Sequence, residues 1–216
     1  MPFVASTRLV SLAEPVVDDF PAYARLHASL RAQYMGAPFA RRAAWGIFCH
    51  DVACWEMFGH SALMVDLRAT GECAGQVGIN HGPLFPEKEL GWLAYEEHEG
   101  RGYATEAART LRDWAAQALR LDGLVRYVDP ENRRSAAVAE RLGATLDSDA
   151  PKQDPGDLVY RHLADTSGAE GSVEMMPSPT LPSGLRRMDM PSKYHCSDMG
   201  PGAWRRRVRG LGAPAK

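Results

Sequence analysis

Apolar positions in the middle of the chain switch between two rhythms. Leu90 to Tyr95 is a short apolar and aromatic run, as expected of a buried strand, and Leu124 to Val128 is a second. Between them Ala104, Ala107, Ala108, Leu111, Trp114, Ala115, Ala118 and Leu119 recur every three or four residues. That spacing gives a helix one apolar stripe, with Arg109, Arg112, Asp113, Gln117 and Arg120 on the other side. The helix is expected to begin near Gly102 and to end at Asp122-Gly123. Asp129-Pro130-Glu131-Asn132 then reads as a turn and helix start, with Asn132 as N-cap. Val138, Ala139 and Leu142 face inward and Gly143 is the stop. The unit is β-α-β-α, and such a crossover implies two parallel or nearly parallel neighbouring strands.

The same reading extends outward. Thr7 to Leu12 is a first strand. Val17 to Leu30 is helical, with Phe20, Tyr23, Ala24, Leu26 and His27 toward the core. Arg41 to Phe58 is a second helix, rich in Trp45, Ile47, Phe48, Trp55 and Phe58. Ala62 to Leu67 and Glu72 to Asn80 form a hairpin around Arg68-Ala69-Thr70-Gly71, and Asp157 to Leu163 closes the sheet. The expected fold is a three-layer α/β sandwich. No internal repeat is present.

Chemistry enters at Gly100-Arg101-Gly102-Tyr103-Ala104. The first turn of a helix leaves backbone N–H groups unpaired, and its dipole favours negative charge. Glycines let that backbone approach a phosphate without a Cβ in the way, so a pyrophosphate is the natural guest. The Rossmann spacing G-x-G-x-x-G fails because Thr105 holds the third position, and no Gly-Lys-Ser/Thr follows for a P-loop. The segment instead resembles the GNAT acetyltransferase superfamily, whose acyl-CoA signature runs Q/R-x-x-G-x-G/A. Glu99-Gly100-Arg101-Gly102-Tyr103-Ala104 fits that frame at Gly102 and Ala104 and departs from it at Glu99. Gly100 to Ala107 (GRGYATEA), the DPEN turn, Asn132-x-x-Ser135 and Glu140 to Ala144 (ERLGA) keep order and spacing with the RimJ/RimL branch, the ribosomal-protein-alanine acetyltransferase-like proteins. The likeness spans roughly residues 5–163 and is densest over 89–144.

The resemblance implies a GNAT-type αβα sandwich with a mixed, splayed central sheet, the first of its two central strands carrying a bulge. It implies an N-acetyltransferase that moves an acetyl group from acetyl-CoA directly to a primary amine, on a protein N-terminus or a small molecule, without a metal. Backbone groups of Leu93, Ala94 and Tyr95 would line the thioester and pantetheine arm. The turn from Gly100, through Arg101, Gly102, Tyr103 and Ala104, to Thr105 would take the pyrophosphate. Asn132 would bond the pantetheine arm as well as cap its helix, and Ser135 would sit near the sulfur. Many relatives place a tyrosine acid further along this helix, where Ala139 stands here, which leaves Ser135 or an ordered water as proton donor. Glu89, at the mouth of the central strand, is the candidate base, with Glu87, His81 and Glu96 as rivals. The missing tyrosine and the atypical Glu99 keep a noncatalytic acyl-CoA-binding module open as the alternative. Dimers are common in the family.

Composition narrows the setting. A chain of 216 residues, 45% hydrophobic and 24% charged, can bury one domain's core. No run of eighteen apolar residues exists to suggest a membrane span, and the N-terminus lacks a signal-peptide core. Cys49, Cys54, Cys73 and Cys196 have no framework spacing, which points to reduced thiols in the cytoplasm. Cys49-His50-Asp51 with Cys54 lies inside a helix without a second ligand pair, so zinc is not expected. The net charge of −2 is uneven: residues 166–216 hold eight Lys/Arg against four Asp/Glu, leaving seventeen against twenty-three, or −6, for residues 1–165. An acidic body argues against nucleic acid as the main partner. The expected domain is therefore 1–165. Residues 166–216, rich in Gly, Pro and Ser, read as a flexible extension, with Trp204 to Arg209 as a basic stretch for an acidic surface or nucleic acid.

Overall fold

The computed structural model describes residues 3–163; the expectation for 166–216 lies outside them. Eight strands form one sheet in the order β1-β2-β3-β4-β5-β6-β8-β7. They are β1 (Phe3–Ser6), β2 (Val10–Ala13), β3 (Ala62–Leu67), β4 (Cys73–Asn80), β5 (Glu89–Ala94), β6 (Gly123–Val128), β7 (Thr145–Leu146) and β8 (Leu158–Leu163). Neighbours run antiparallel except β5 and β6. The helices are α1 (Phe20–His27), α2 (Arg41–Phe58), α3 (Tyr103–Ala118) and α4 (Arg133–Arg141), with 3₁₀ turns at Val17–Asp19, Leu30–Met35 and Glu96–His98.

The two faces of the sheet are covered by different helices, as alternation along the strands demands. Leu63, Val65 and Leu67 of β3 with Val77 and Ile79 of β4 pack beneath Ala107, Ala108, Leu111 and Ala115 of α3. The small alanines let this helix lie close to the strands. On the opposite face Leu26 of α1 meets Met64 and Tyr95, while Phe20, Tyr23 and Ala24 of α1 pack on Ala44 and Phe48 of α2. Val128 of β6 and Ala139 of α4 join a smaller cluster with Tyr160. The α2 boundaries, the β3–β4 hairpin and the α1 core residues fall where the hydrophobic pattern placed them.

Four expectations are corrected. The first strand is a hairpin of two, because Thr7 bends the chain: its Oγ1 accepts from the N–H groups of Leu9 and Val10. The predicted helix Val17–Leu30 is divided, with α1 ending at His27 and Ser29 capping a separate 3₁₀ turn through its side chain. Helix α3 stops at Ala118, not Asp122; Arg120 turns the chain at φ 52°, and Gly123 opens β6. The bulge expected in β5 is absent from its pairing with β4, which runs unbroken from Glu89↔Asn80 to Ala94↔Gly75. Register shifts lie instead between β3 and β4, near Val65 and Asp66, and between β1 and β2, near Phe3 and Ala5.

Candidate functional site

Strands β5 and β6 begin as parallel neighbours and then part. Only Glu89↔Val125 is in register, helped by the Val125 N–H donating to the Lys88 carbonyl at 3.0 Å. The burial of β5 records the divergence: Glu89, Leu90 and Gly91 are buried, whereas Trp92, Leu93 and Ala94 are half-buried. The gap continues into a cleft of about 980 Å³, walled by β5, the α3 and α4 N-termini and the Leu30–Met35 turn. The splay expected of the central strands is therefore present without a bulge in β5.

One end of the cleft is the turn into α3. Gly100 and Gly102 have φ of 70° and 84°, the left-handed region that a Cβ disfavours, and nothing lies within 4 Å of where either Cβ would point. Gly102 is the N-cap, and among the described residues no side chain bonds the first amides of the helix. Those donors are left for a ligand, and the helix dipole reinforces them. Helix α4 presents the opposite case. Asn132 accepts the Ser135 N–H at 3.1 Å, so its cap is satisfied internally. The bare first turn is the one that fits a diphosphate.

Leu93, Ala94, Gly100, Gly102, Tyr103, Ala104, Thr105, Asn132 and Ser135 all lie along the cleft wall. Two predicted contacts do not. Tyr95 is 6% exposed, packed with Leu26 and Met64, and its N–H donates to the Ala74 carbonyl at 2.9 Å. Arg101 is exposed outside the wall. Glu89 is buried, at 5% exposure, behind the wall: Oε1 accepts from Arg126 Nη1 at 2.8 Å and Oε2 from Asn80 Nδ2 at 2.9 Å. Its rivals are committed elsewhere. Glu87 accepts both Arg161 terminal nitrogens at 2.8 and 2.9 Å, and this pairing lowers its pKa. His81 packs among Phe58 and His60, and desolvation, with Lys88 nearby, lowers its pKa. Glu96 is exposed, 3.6 Å from Arg31.

The sequence reading missed Arg126. Its guanidinium lies in the cleft wall, over the Trp92 ring at 4.8 Å from the centroid. Nη1 pairs with Glu89 and Nε donates to Ser135 Oγ at 3.3 Å. One side chain therefore links the buried carboxylate to the candidate acid and puts a positive charge beside the parted strands. The available signal was an arginine in the middle of Leu124-Val125-Arg126-Tyr127-Val128, where burial makes an unpaired charge costly and so implies a partner. Tyr34 and Met35 line the opposite wall, and Tyr34 Oη donates to the Glu131 carbonyl at 3.4 Å.

The Cys49–Cys54 region does not converge. Cys54 Sγ lies 3.4 Å from His50 Nε2, but Asp51 turns into the core and accepts from Tyr23 Oη at 3.3 Å and Gln76 Nε2 at 3.2 Å. Burial pushes the Asp51 carboxyl up to about 7, against the pull of those two hydrogen bonds. Among the described residues no three His, Cys, Asp or Glu side chains converge on a point that could hold a metal ion. No helix among them is long and apolar enough to cross a membrane.

Comparison with known proteins gives a consistent picture. Residues 10–145 match the family described as Acetyltransferase (GNAT) domain. A solved acetyltransferase from Agrobacterium tumefaciens str. C58 is 60% identical at a TM-score of 0.72, over 75% of this chain and 94% of that one. At fold level, an acetyl transferase from Salmonella typhimurium that modifies the N-terminal serine of 50S ribosomal subunit protein L7/L12 has a TM-score of 0.61 with 18% identity, over 76% of this chain and all (100%) of that one. Uncharacterized protein YkkB of Bacillus subtilis (strain 168) is 33% identical over 88 residues, 40% of this chain, and the match spans 51% of that relative's length.

Proposed function

Since the chain belongs to the GNAT acetyltransferase family, we propose that it is an acetyl-CoA-dependent N-acetyltransferase that transfers acetyl directly to a primary amine. The observation that carries this reading is the uncapped, glycine-led first turn of α3 opening into the gap between β5 and β6. A diphosphate carrier fits the turn and an extended thiol arm fits the gap. When bound, acetyl-CoA supplies an activated acyl group as its thioester.

The chain's own residues supply the rest. Amides from Gly102 to Thr105 bind the diphosphate, the exposed edge of Leu93 and Ala94 orients the arm, and Asn132 holds the α4 start in place. Arg126 stands where negative charge develops on acyl transfer, and its position inside the protein makes that charge count for more than it would in water. Ser135 O–H, bonded by Arg126, is the proton donor. Glu89 orients Arg126 and takes the amine proton through water, since it sits behind the wall rather than in it. Free Cys49, Cys54 and Cys73, with the acyl donor this reading assigns, suit a cytoplasmic enzyme.

The acceptor is a primary amine on a protein N-terminus or a small molecule. The test is free-thiol release from acetyl-CoA across a panel of peptides and small amines, with Ser135→Ala as control. Turnover that Ser135→Ala reduces by about tenfold or more agrees with general acid catalysis. Tight acetyl-CoA binding with no release for any amine would favour the noncatalytic module, and homodimer formation is left to sedimentation.

A further inference from the structure

Glu99 is the residue at which the chain departs from its family's signature, and the structure gives it two arginine partners. It closes the 3₁₀ turn Glu96–His98 immediately before Gly100. Its carboxylate pairs through Oε1 with Arg31 and through Oε2 with Arg134. Arg31 belongs to the Leu30–Met35 turn in the wall that carries Tyr34 and Met35, and Arg134 is the second residue of α4. All three line the cleft. The Arg31 side chain is only 25% exposed, and among the described residues its buried Nε has no hydrogen-bond partner while its buried Nη2 has the ionic contact with Glu99 but no hydrogen bond. Its present pairing therefore leaves donor capacity unused, which an incoming anion could take up.

We propose that Glu99 is an internal substitute for a cofactor phosphate. It holds Arg31 and Arg134 at the mouth of the cleft, and cofactor entry exchanges one anion for another. The inference rests on the acetyl-CoA reading above. Without Glu99, two arginines would face each other across the mouth and repel. With it, the ligand-free site is neutralised, and the arginines stay near the turn that receives the diphosphate. The cofactor then competes with a tethered carboxylate, so affinity is set below what the arginines alone would give. Because Arg31 sits in the Leu30–Met35 turn, the exchange also loosens that turn's tie to Glu99 once the cofactor has arrived. The Tyr34–Glu131 hydrogen bond also ties the Leu30–Met35 turn to the start of α4.

Calorimetric titration of coenzyme A into the full-length protein, at low and moderate salt, tests this. Glu99→Gln removes a negative charge near the diphosphate, frees Arg134 from its ion pair and leaves Arg31 with the longer contact to exposed Glu96 at 3.6 Å. It should tighten binding by about three- to tenfold at low salt, a gain that shrinks as salt screens the charges. Arg31→Met and Arg134→Met should each weaken binding, and the Glu99→Gln gain should vanish when both are present. Glu99→Ala, whose side chain can neither pair nor hydrogen-bond, provides a second route to the same increase. Unchanged or weaker binding in both Glu99 variants, with melting temperatures at the wild-type value, overturns the proposal. Wild-type protein that does not bind coenzyme A would instead defeat the cofactor reading, and this inference with it.

Discussion

Replacing Arg126 by methionine should expose how far the site and the fold share one buried ion pair. The Arg126 and Glu89 side chains are 14% and 7% exposed and lie 2.8 Å apart. Removing the cation leaves the Glu89 carboxylate buried with, among the described residues, the Asn80 amide as its remaining hydrogen-bond partner. Losing one member of such a pair costs about 3–5 kcal/mol, and the contact over Trp92 adds about 0.5–2 kcal/mol. Methionine refills much of the volume and keeps contact with the ring, so a net loss of about 3 kcal/mol is expected, roughly a hundredfold in the folding equilibrium. Glu89→Gln keeps an acceptor for the guanidinium and should cost less, about 1–2 kcal/mol. Adding it to Arg126→Met should recover at least about 1 kcal/mol, because the stranded charge is gone. Urea unfolding measures all four corners of this cycle. In thiol-release kinetics Arg126→Met should lower kcat by about ten- to a hundredfold while the KM for acetyl-CoA changes little, since its charge acts on the reacting centre rather than on the diphosphate. Strict additivity in the urea cycle, or a change confined to KM, would refute this assignment of Arg126.

Three further outcomes follow from the same structure. Asn132→Ala removes the side-chain cap from the Ser135 N–H and should cost about 1 kcal/mol of stability by urea unfolding; a larger loss in coenzyme A affinity than in stability would mark its second role, and the reverse would reduce it to a cap. Asp51 titrates at about 7 when folded against about 3.9 when unfolded, so between those values the folded state binds more protons and stability falls as pH rises. His162, which burial and then Arg112 and Arg126 lower to about 4, acts in the opposite sense because its stability contribution is lost as pH falls from about 6.5. The clean readout is the difference between wild type and Asp51→Asn, which should move in the variant's favour from pH 5 to pH 8; a difference that stays constant contradicts the burial argument. Gly78→Val should lower the melting temperature, since a Cβ there would stand 3.0 Å from Ala62 Cα across the β3–β4 ladder; a wild-type melting temperature would show that the strands can part.

Much of the fold was legible because its periodicities are local. The α3 stripe and the α2 helix repeat at helical spacing over sixteen and eighteen residues, long enough for the pattern to outweigh any single residue. The cap at Asn132 and the glycines at 100 and 102 could be read for a related reason: backbone geometry at those points restricts which residues fit. The errors lie where tertiary contacts decide. Thr7 makes a turn rather than a strand, because its hydroxyl can satisfy nearby backbone amides once β2 has a partner in β3. Arg126 reads in the sequence only as part of the strand Leu124 to Val128, and it is the pairing of β5 with β6 that brings Glu89 within its reach. Glu99 looked like a departure from a motif, and its two arginines come from segments 68 and 35 residues away in sequence. Charge pairs across distant segments carry no periodic signal, so the electrostatics of the site emerged only in three dimensions.

The most direct test of the account is calorimetric titration of acetyl-CoA into wild-type protein and the Gly102→Val variant. Wild type should bind with a Kd well below about 100 µM, which corresponds to roughly −5.5 kcal/mol. Valine at φ 84° is strained and puts a branched Cβ at the anion turn, so the variant should lose most of that affinity while still unfolding cooperatively. No heat of binding from wild type at concentrations above 100 µM, or equal affinity in the two proteins, would contradict the claim that the α3 turn holds the diphosphate.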